Sequence, residues 1–219
     1  MKNSRKENTG NVWTILFVTA IPFVIIAMTP IFDNQKLGTG QTADVYYTIP
    51  AEDGQAKDSI ESVRAFMNVY KVLMSPRCVN CHPSGDVPLQ GDDSHLHAML
   101  PRRGVDGKGL YAMKCTNCHQ STNTPGLNMP PGNTTWHLPP SDMKMVFQGK
   151  SAHDLAEQLL NPKLNGNKNV DELLEHVSDD LVMWGWEPGD GRTKPPLDYE
   201  EFKKAWITWL EKGAYAPKK

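Results

Sequence analysis

Every cysteine in this chain belongs to one of two copies of the pattern Cys-x-x-Cys-His, and no other feature constrains the fold as strongly. The two copies read Cys78-Val79-Asn80-Cys81-His82 and Cys115-Thr116-Asn117-Cys118-His119. A gap of two residues places both sulfurs of one copy on the same side of a helical turn, and the turn brings the following histidine back toward that side. Each copy therefore offers two thiols and one imidazole to a single flat group.

This pentapeptide is the attachment signature of c-type haem. The two thiols add to the vinyl groups of the porphyrin as thioethers, and the imidazole binds the iron from one face. We therefore predict two covalently attached haems as the cofactors. The expected cofactor-binding residues are the thiols of Cys78, Cys81, Cys115 and Cys118, together with the proximal iron ligands His82 and His119.

Three other uses of paired cysteines compete with this interpretation. Four thiolates can hold a structural zinc ion, but such a site needs no histidine after each pair, and the interval between the pairs exceeds that of a zinc ribbon. A thioredoxin-like redox pair requires a β-α-β setting, which the sequence lacks, and leaves the second pair unexplained. Two disulfides would suit an exported protein, although pairing across only two residues is uncommon.

The segment 12–32 contains no charged residue and is apolar apart from threonines and prolines. Its length fits a membrane-spanning helix, which needs about 20 residues. The preceding head, residues 1–11, carries Lys2, Arg5 and Lys6. Positive charge favours retention of that head in the cytoplasm. A cleavable signal peptide is the rival, but no small-x-small site ends the apolar run. We expect an uncleaved single-pass anchor that places the rest of the chain on the periplasmic, outer side of a bacterial inner membrane.

After the anchor, the polar segment 33–57 is predicted to be a linker and residues 58–219 to form a dihaem cytochrome c domain. The loops of that domain are long, because much of 83–140 is irregular and the chain has 17 Gly and 17 Pro. Loops of this length normally argue against a compact domain. Two buried haem macrocycles would each supply an apolar core around which these long loops can pack. Few residues separate the two motifs, so both haems should share one domain and lie close together.

Apolar residues at steps of three and four predict four helices in this domain. The apolar face of the first, which leads into the first motif, consists of Ile60, Val63, Phe66, Met67, Tyr70 and Leu73. The second spans 151–160 with Ser151 as its N-cap, and the third spans 170–177 with inward Val170, Leu173, Leu174 and Val177. The fourth spans 199–212, is capped by Asp198 and buries Tyr199, Phe202, Trp206, Trp209 and Leu210. No long alternating pattern appears, so the predicted fold is mainly α with long loops around the haems.

Several of these stretches resemble the c-type cytochromes. Gly109-Leu110-Tyr111 followed by Cys115 resembles the first helix of class I members, and the helix with Trp206 and Trp209 resembles their last helix. Met74 departs from the class I pattern before the first motif. The layout is similar to small bacterial dihaem cytochrome subunits found beside molybdenum hydroxylases of the isoquinoline oxidoreductase type. The shared stretches are Arg77–His82, Pro88–Asp92, Arg103–His119, Met129–Pro140 and Val182–Arg192. The resemblance implies a cytochrome c-like fold and a molybdenum hydroxylase or respiratory complex as a redox partner.

Each haem iron has a sixth position, which takes a protein side chain or stays open; histidine there lowers the reduction potential and methionine raises it. The candidate distal ligands are His97, His137, His176 and Met129. His97 lies between the motifs, His137 lies in a proline-stiffened loop, and His176 ends a predicted helix. Met129 precedes Pro130-Pro131-Gly132, similar to the loops that supply a methionine ligand in class I proteins. Each histidine has an ordinary alternative as a hydrogen-bonded surface group. We expect bis-histidine ligation at one haem at least, with Met129 as the alternative at the other.

Charged residues suggest two further roles. A guanidinium can bind a haem propionate with two parallel hydrogen bonds, which makes Arg102 and Arg103 candidate cofactor-binding residues, with Arg192 as a third candidate. Solvated surface is the alternative for all of them. The charged residues of the segment 171–190 are all acidic: Asp171, Glu172, Glu175, Asp179, Asp180, Glu187 and Asp190. Such a run is usually a solvated face, and in an electron carrier it also steers a basic partner.

The predicted function is a membrane-anchored electron carrier. It would pass single electrons from an outer-side dehydrogenase or quinol-oxidising enzyme to a downstream carrier or oxidase. The net charge of −2 does not favour nucleic acid as a partner. No catalytic residues are predicted, because no nucleophile triad, carboxylate pair or glycine-rich nucleotide loop appears. The alternatives are a peroxidase-like enzyme with one open iron site and a gas sensor. Known dihaem peroxidases are longer chains with two full domains, and a sensor would need an output domain.

Overall fold

The computed structural model describes residues 51–219, with the backbone alone for 51–53. The helices are α1 Ala51–Leu73, α2 Pro76–Val79, α3 Ala152–Leu160, α4 Val170–His176, α5 Asp180–Met183 and α6 Tyr199–Glu211, with 3₁₀ turns at Cys115–Asn117 and Trp184–Trp186. Two short antiparallel hairpins pair β1 Leu89–Gln90 with β2 His95–Leu96, and β3 Gly109–Leu110 with β4 Met113–Lys114. The described part is therefore mainly helical with long loops, as predicted.

The predicted head 1–11 and anchor 12–32 lie outside the described residues, as does most of the predicted linker. Between residues 51 and 219, no helix combines the length and the apolar character that crossing a membrane requires.

The core forms where the first and last long helices pack against each other. The ring of Phe66 on α1 lies 4.6 Å from the indole of Trp209 on α6, and neither side chain is exposed. Ser62 links the same two helices, because its hydroxyl donates to the Trp209 carbonyl at 2.9 Å and accepts from the Tyr215 amide at 2.9 Å. The indole of Trp206 donates to the Leu173 carbonyl at 2.8 Å and ties α4 to the same core.

The predicted helix caps are present. Ser151 accepts a hydrogen bond from the Asp154 amide at the start of α3. Asp198 forms a capping box with Glu201 at the start of α6. A side-chain oxygen at the N-cap satisfies a backbone amide that has no partner within the helix, and this fixes where the helix begins.

Three details of the predicted helices are wrong. Helix α1 begins at Ala51, inside the segment predicted to be a linker, because its Ala, Glu, Gln and Lys residues are good helix formers although they are polar. The buried stripe of α1 is also rotated: Ile60 and Met67 are exposed, while Ser62, Ala65, Val69 and Val72 are buried. On α4, Val170 is exposed because it occupies the first helical turn, and Leu173 provides the contact with the core.

The stretch before the second motif is a hairpin instead of the helix that the class I resemblance implied. Gly109 and Leu110 pair with Lys114 and Met113, and Tyr111 at the turn has a φ of 49°. Gly109 has a φ of 89°, and a Cβ there would lie 2.3 Å from the Met113 carbonyl oxygen. Only glycine fits this close approach, so the chain turns back on itself before Cys115.

Candidate functional site

Both Cys-x-x-Cys-His motifs fold into the same helical turn. The carbonyl of Cys78 accepts from the amides of Cys81 and His82, each at 3.1 Å. The carbonyl of Cys115 accepts from the amides of Cys118 at 3.2 Å and His119 at 2.9 Å. The spacing of each motif therefore gives the local turn that the sequence predicts, although the first lies at the end of a short α-helix and the second in a 3₁₀ turn.

The two motif histidines are held by matching hydrogen bonds. Nδ1 of His82 donates to the Met145 carbonyl at 2.7 Å, and Nδ1 of His119 donates to the Pro131 carbonyl at 2.7 Å. A carbonyl oxygen only accepts, so Nδ1 carries the proton in both rings. Nε2 of each neutral imidazole keeps its lone pair, and this is the arrangement that metal-binding histidines adopt.

An aromatic ring stacks on each of these imidazoles. The Phe147 ring lies 3.9 Å from the His82 ring at an angle of 11°, and the Trp136 ring lies 4.4 Å from the His119 ring at 10°. The Phe147 amide also donates to the His82 carbonyl at 2.9 Å. Together with the bond from Nδ1, the stacking fixes the plane of each imidazole, so Nε2 points in one direction.

Burial favours the neutral form of both motif histidines and of the thiols of the first motif. It lowers the pKa of His82 to about 4 and also lowers the pKa of His119. It raises the pKa of the Cys78 thiol to about 12 and that of the Cys81 thiol to about 11. Redox-active cysteine pairs have a lowered thiol pKa. The shift here is in the opposite direction and does not support the thioredoxin-like alternative.

The two motifs are neighbours. Burial is the main cause of the raised pKa of Cys81, and the nearby Cys115 contributes to the rise. No disulfide joins any of the four cysteines, all of which lie within the described residues. Within residues 51–219, no three His, Cys, Asp or Glu side chains converge as they would in a zinc site. A haem iron takes one protein ligand on each face and needs no such cluster.

The segment around the second motif lacks an apolar core of its own. Residues 90–137 contribute no side chain to the buried apolar core, which resumes only at Leu138. Large apolar side chains in this segment are instead exposed: Leu96, Met99, Leu100, Val105, Tyr111, Met113, Leu127 and Met129. This exposure leaves apolar surface within the segment that another group could cover.

The candidate distal ligands fall into two groups. The ring of His97 lies 6.2 Å from the ring of His119, at an angle of 66°. His176 and His137 both lie near His82, because each contributes, after burial, to the lowered pKa of that imidazole. Nδ1 of His176 donates to Asp179 at 2.5 Å, and Nδ1 of His137 donates to the Thr135 carbonyl.

Met129 lies in the loop whose backbone holds the second motif histidine. It is two residues from Pro131, whose carbonyl accepts from His119. Its own carbonyl accepts from Arg192 at 2.7 Å, and its side chain is 41% exposed.

The two candidate propionate-binding arginines differ in environment. Arg102 is exposed and lies 3.6 Å from Asp86. Arg103 is 1% exposed and donates to the carbonyls of Pro139 at 2.5 Å and Gly85 at 3.2 Å. A third arginine, Arg77, which sequence reasoning missed, is equally enclosed and pairs with Asp92 at 2.6 Å. Its position directly before Cys78 was the one signal in the sequence.

The acidic residues of the segment 171–190 are all exposed. They lie on α4, on α5 and in the loop that follows the 3₁₀ turn Trp184–Trp186, so they form the surface of one continuous stretch of chain. This exposure agrees with a solvated face and leaves the charges available to a partner.

Comparison with protein-family models, with curated proteins and with solved structures yields no match to this chain. A function is therefore inferred from the residues and their geometry alone.

Proposed function

We propose that this chain is a dihaem cytochrome c that carries single electrons. The observation that supports it most is the repetition of one complete site: a Cys-x-x-Cys-His turn whose imidazole is neutral, anchored through Nδ1 and free at Nε2. A c-type haem would supply one-electron chemistry at each site. The thiols of Cys78, Cys81, Cys115 and Cys118 would hold the porphyrins, and His82 and His119 would bind the irons.

The lack of buried apolar side chains in the segment 90–137 also fits the proposed haem attachment. A macrocycle attached at Cys115 and Cys118 would cover apolar side chains that the polypeptide leaves exposed between residues 90 and 137. Burial of apolar surface contributes about 25 cal/mol per Å², so a group of this size would stabilise the segment substantially. A zinc ion or a disulfide would bring no comparable apolar surface.

At the second motif, the rings of His97 and His119 have a spacing that suits two ligands of one iron. With iron–nitrogen bonds of about 2 Å and about 1 Å from nitrogen to ring centre, two axial imidazoles have centroids about 6 Å apart. The observed separation is 6.2 Å. The His97 ring accepts a 3.3 Å hydrogen bond from the Met99 amide at Nδ1, so the proton of the neutral ring is on Nε2. Iron binding through Nε2 would require that proton to move to Nδ1 and this bond to break. We assign His97 as the distal ligand of the second haem.

At the first motif, His176 is the stronger candidate for the distal position. Its Nδ1 is held by the carboxylate of Asp179, whereas Nδ1 of His137 donates to the backbone carbonyl of Thr135. Histidines that bind metals commonly donate their other ring nitrogen to a carboxylate or carbonyl. Both haems would then carry two histidines, and no methionine ligand is needed.

The experiment that tests the function is an intact mass and an absorbance spectrum of the full chain after maturation in a cell that attaches c-type haem. Two haems per chain, both low-spin and six-coordinate, are expected. The bare chain mass would overturn the proposal. A high-spin haem that responds to carbon monoxide or peroxide would favour the peroxidase-like enzyme or the sensor over a carrier.

Replacing His97 is expected to open one iron. In the His97→Ala protein, about half of the haem should become high-spin and bind carbon monoxide, because the second iron loses one axial ligand. His95→Ala is the matched control, since His95 is exposed and bonds Asp93 beside it. Magnetic resonance and carbon monoxide difference spectra report the change. An unaltered low-spin spectrum in His97→Ala would remove this ligand assignment.

The proposed site of action is the outer face of a bacterial inner membrane, with residues 12–32 as the anchor. The acidic surface of the segment 171–190 fits a basic redox partner. The likeness to dihaem subunits beside molybdenum hydroxylases points to such an enzyme, or to a respiratory complex, as one class of electron donor.

Electron transfer to a basic partner is expected to slow as salt increases. Steering by exposed charge raises association rates by about tenfold or more at low ionic strength, and salt screens it. Asp171→Asn with Glu175→Gln should reduce the salt dependence measured by stopped-flow with a basic single-haem cytochrome. Glu157→Gln, an exposed change on α3, serves as the control. Rates that do not depend on salt would exclude this docking face.

A further inference from the structure

The two motifs lie in unequal surroundings. Around the first motif, Ser75, Arg77, Val79 and Pro83 are buried, and Phe147 covers His82. Within the second motif no residue is buried, and Cys118 is exposed. The polypeptide therefore encloses the turn of the first motif more fully than the turn of the second.

Two buried arginines add positive charge beside the first motif. Arg77 is 6% exposed and Arg103 is 1% exposed, and the Nε atom of each is buried without a hydrogen-bond partner. Both guanidinium groups lie close enough to Cys81 to favour its thiolate. Their charge is thus felt at the atoms to which a haem would be attached.

Carboxylates neutralise this charge only in part. Arg77 has one carboxylate partner, Asp92, whose side chain is 43% exposed. The hydrogen bonds of Arg103 go to two carbonyls, and Asp86, which attracts it, is already paired with Lys144 at 2.7 Å. An arginine in a protein keeps its proton, so both charges persist when buried. The first motif therefore carries an excess of positive charge in a low-dielectric setting.

Reduction of a haem removes one positive charge from the iron. Nearby buried cations and the absence of water favour the reduced state, whereas solvent stabilises the oxidised state. With two histidines at each iron, as assigned above, the ligands do not separate the two potentials. The charge and the burial around each iron then decide which centre has the higher reduction potential.

We propose that the centre at Cys78–His82 is the high-potential centre and the centre at Cys115–His119 the low-potential centre, so electrons pass from the second motif to the first. This inference rests on the proposed function. One electron leaves the second centre, which is oxidised, and reduces the first. A reduced one-electron carrier refills the second centre, and an oxidised haem or copper protein takes the electron from the first. Arg77 and Arg103 are positioning residues that set the potential through their charge.

Replacing Asp92 should shift the potential of the first centre in the direction opposite to that expected from replacing Arg77 or Arg103. One of its oxygens accepts from Arg77, and the other accepts from the amide of Thr193 at 3.0 Å and from its hydroxyl at 2.5 Å. Removing this negative charge leaves Arg77 without its counter-ion. Asp92→Asn should therefore raise the potential of the first centre, while Arg77→Gln and Arg103→Gln should lower it.

The experiment is a redox titration of the matured full chain, followed by absorbance and magnetic resonance. The protein with serine at Cys78 and Cys81 keeps only the second haem and assigns its midpoint, so the remaining midpoint of the parent chain belongs to the first centre. Arg64→Gln and Asp93→Asn are matched exposed controls and should leave both midpoints in place. If Arg103→Gln does not fold, Arg103→Lys, which keeps the charge, should preserve the potential.

Several outcomes would overturn the inference while both haems are present. A first centre whose midpoint is equal to or lower than that of the second reverses the proposed order. Arg77 also donates to the Gly91 carbonyl at 3.1 Å. Shifts of the potential in the same direction for Arg77→Gln and Asp92→Asn would indicate that the ion pair acts only by holding the backbone around Gly91 in place. Shifts no larger than those of the controls remove the electrostatic role. Absence of haem in the parent chain would instead refute the proposed function.

Discussion

Serine at both Cys115 and Cys118 is expected to remove one haem and to unfold the segment 90–137 while helices α1, α3 and α6 stay folded. The segment adds no side chain to the buried apolar core, so the polypeptide alone offers little to offset its conformational entropy. The intact mass should fall by one haem. Amide hydrogen exchange across the segment should approach that of an unfolded chain, whereas the core helices keep their protection.

The corresponding change at the first motif is the matched comparison. Serine at Cys78 and Cys81 also removes one haem, but its effect on exchange should centre on α2 and on the loop around Met145, because that loop holds His82. The prediction fails if the Cys115 and Cys118 variant loses its haem and keeps full protection across 90–137. The segment would then be folded by the protein alone, and the interpretation of its exposed apolar surface would be wrong.

The second large effect is expected from Phe66→Ala, which should lower the free energy of unfolding by about 3–5 kcal/mol. Phe66 has no exposed surface and packs on Trp209 where α1 meets α6, so truncation leaves a cavity that rigid helices cannot close. Urea unfolding of the matured protein, followed by helical circular dichroism, measures the change.

Ile60→Ala is the control on the same helix. Ile60 is 61% exposed, so its truncation should cost less than about 1 kcal/mol. A similar loss for both variants would mean that α1 contributes through helix propensity instead of through its contact with α6. The burial pattern of the helix would then have no energetic importance.

Sequence reasoning located the helices because their signals are local. Apolar spacing and N-caps identified α3, α4 and α6, and Asp198 and Ser151 are the caps that were expected. The inward face of α1 was misjudged because the contact with α6, and not hydrophobicity alone, decides that Ser62 is buried and Ile60 is exposed. The hairpin before Cys115 escaped notice because it depends on one close backbone approach at Gly109.

The residues of the candidate site also fall into a group that the sequence predicts and a group that it does not. The thiols and proximal histidines follow from two pentapeptides and needed no tertiary information. Their supports could not be predicted: Met145 and Phe147 come from a loop 63 and 65 positions beyond His82, and a carbonyl acceptor leaves no mark on the residue type. The burial of Arg77 could not be predicted either, because it depends on contact with the turn at Asp92, 15 positions along the chain.

By itself the sequence determined the mainly helical class, and it predicts the chemistry of attachment and the number of sites, because each of these is written in contiguous residues. The tertiary structure alone decided how the imidazoles of the two motifs are oriented, and that two buried arginines lie beside the first motif while the turn of the second is exposed. These properties depend on which distant segments meet when the chain closes on itself, and that outcome is set by packing over the whole domain.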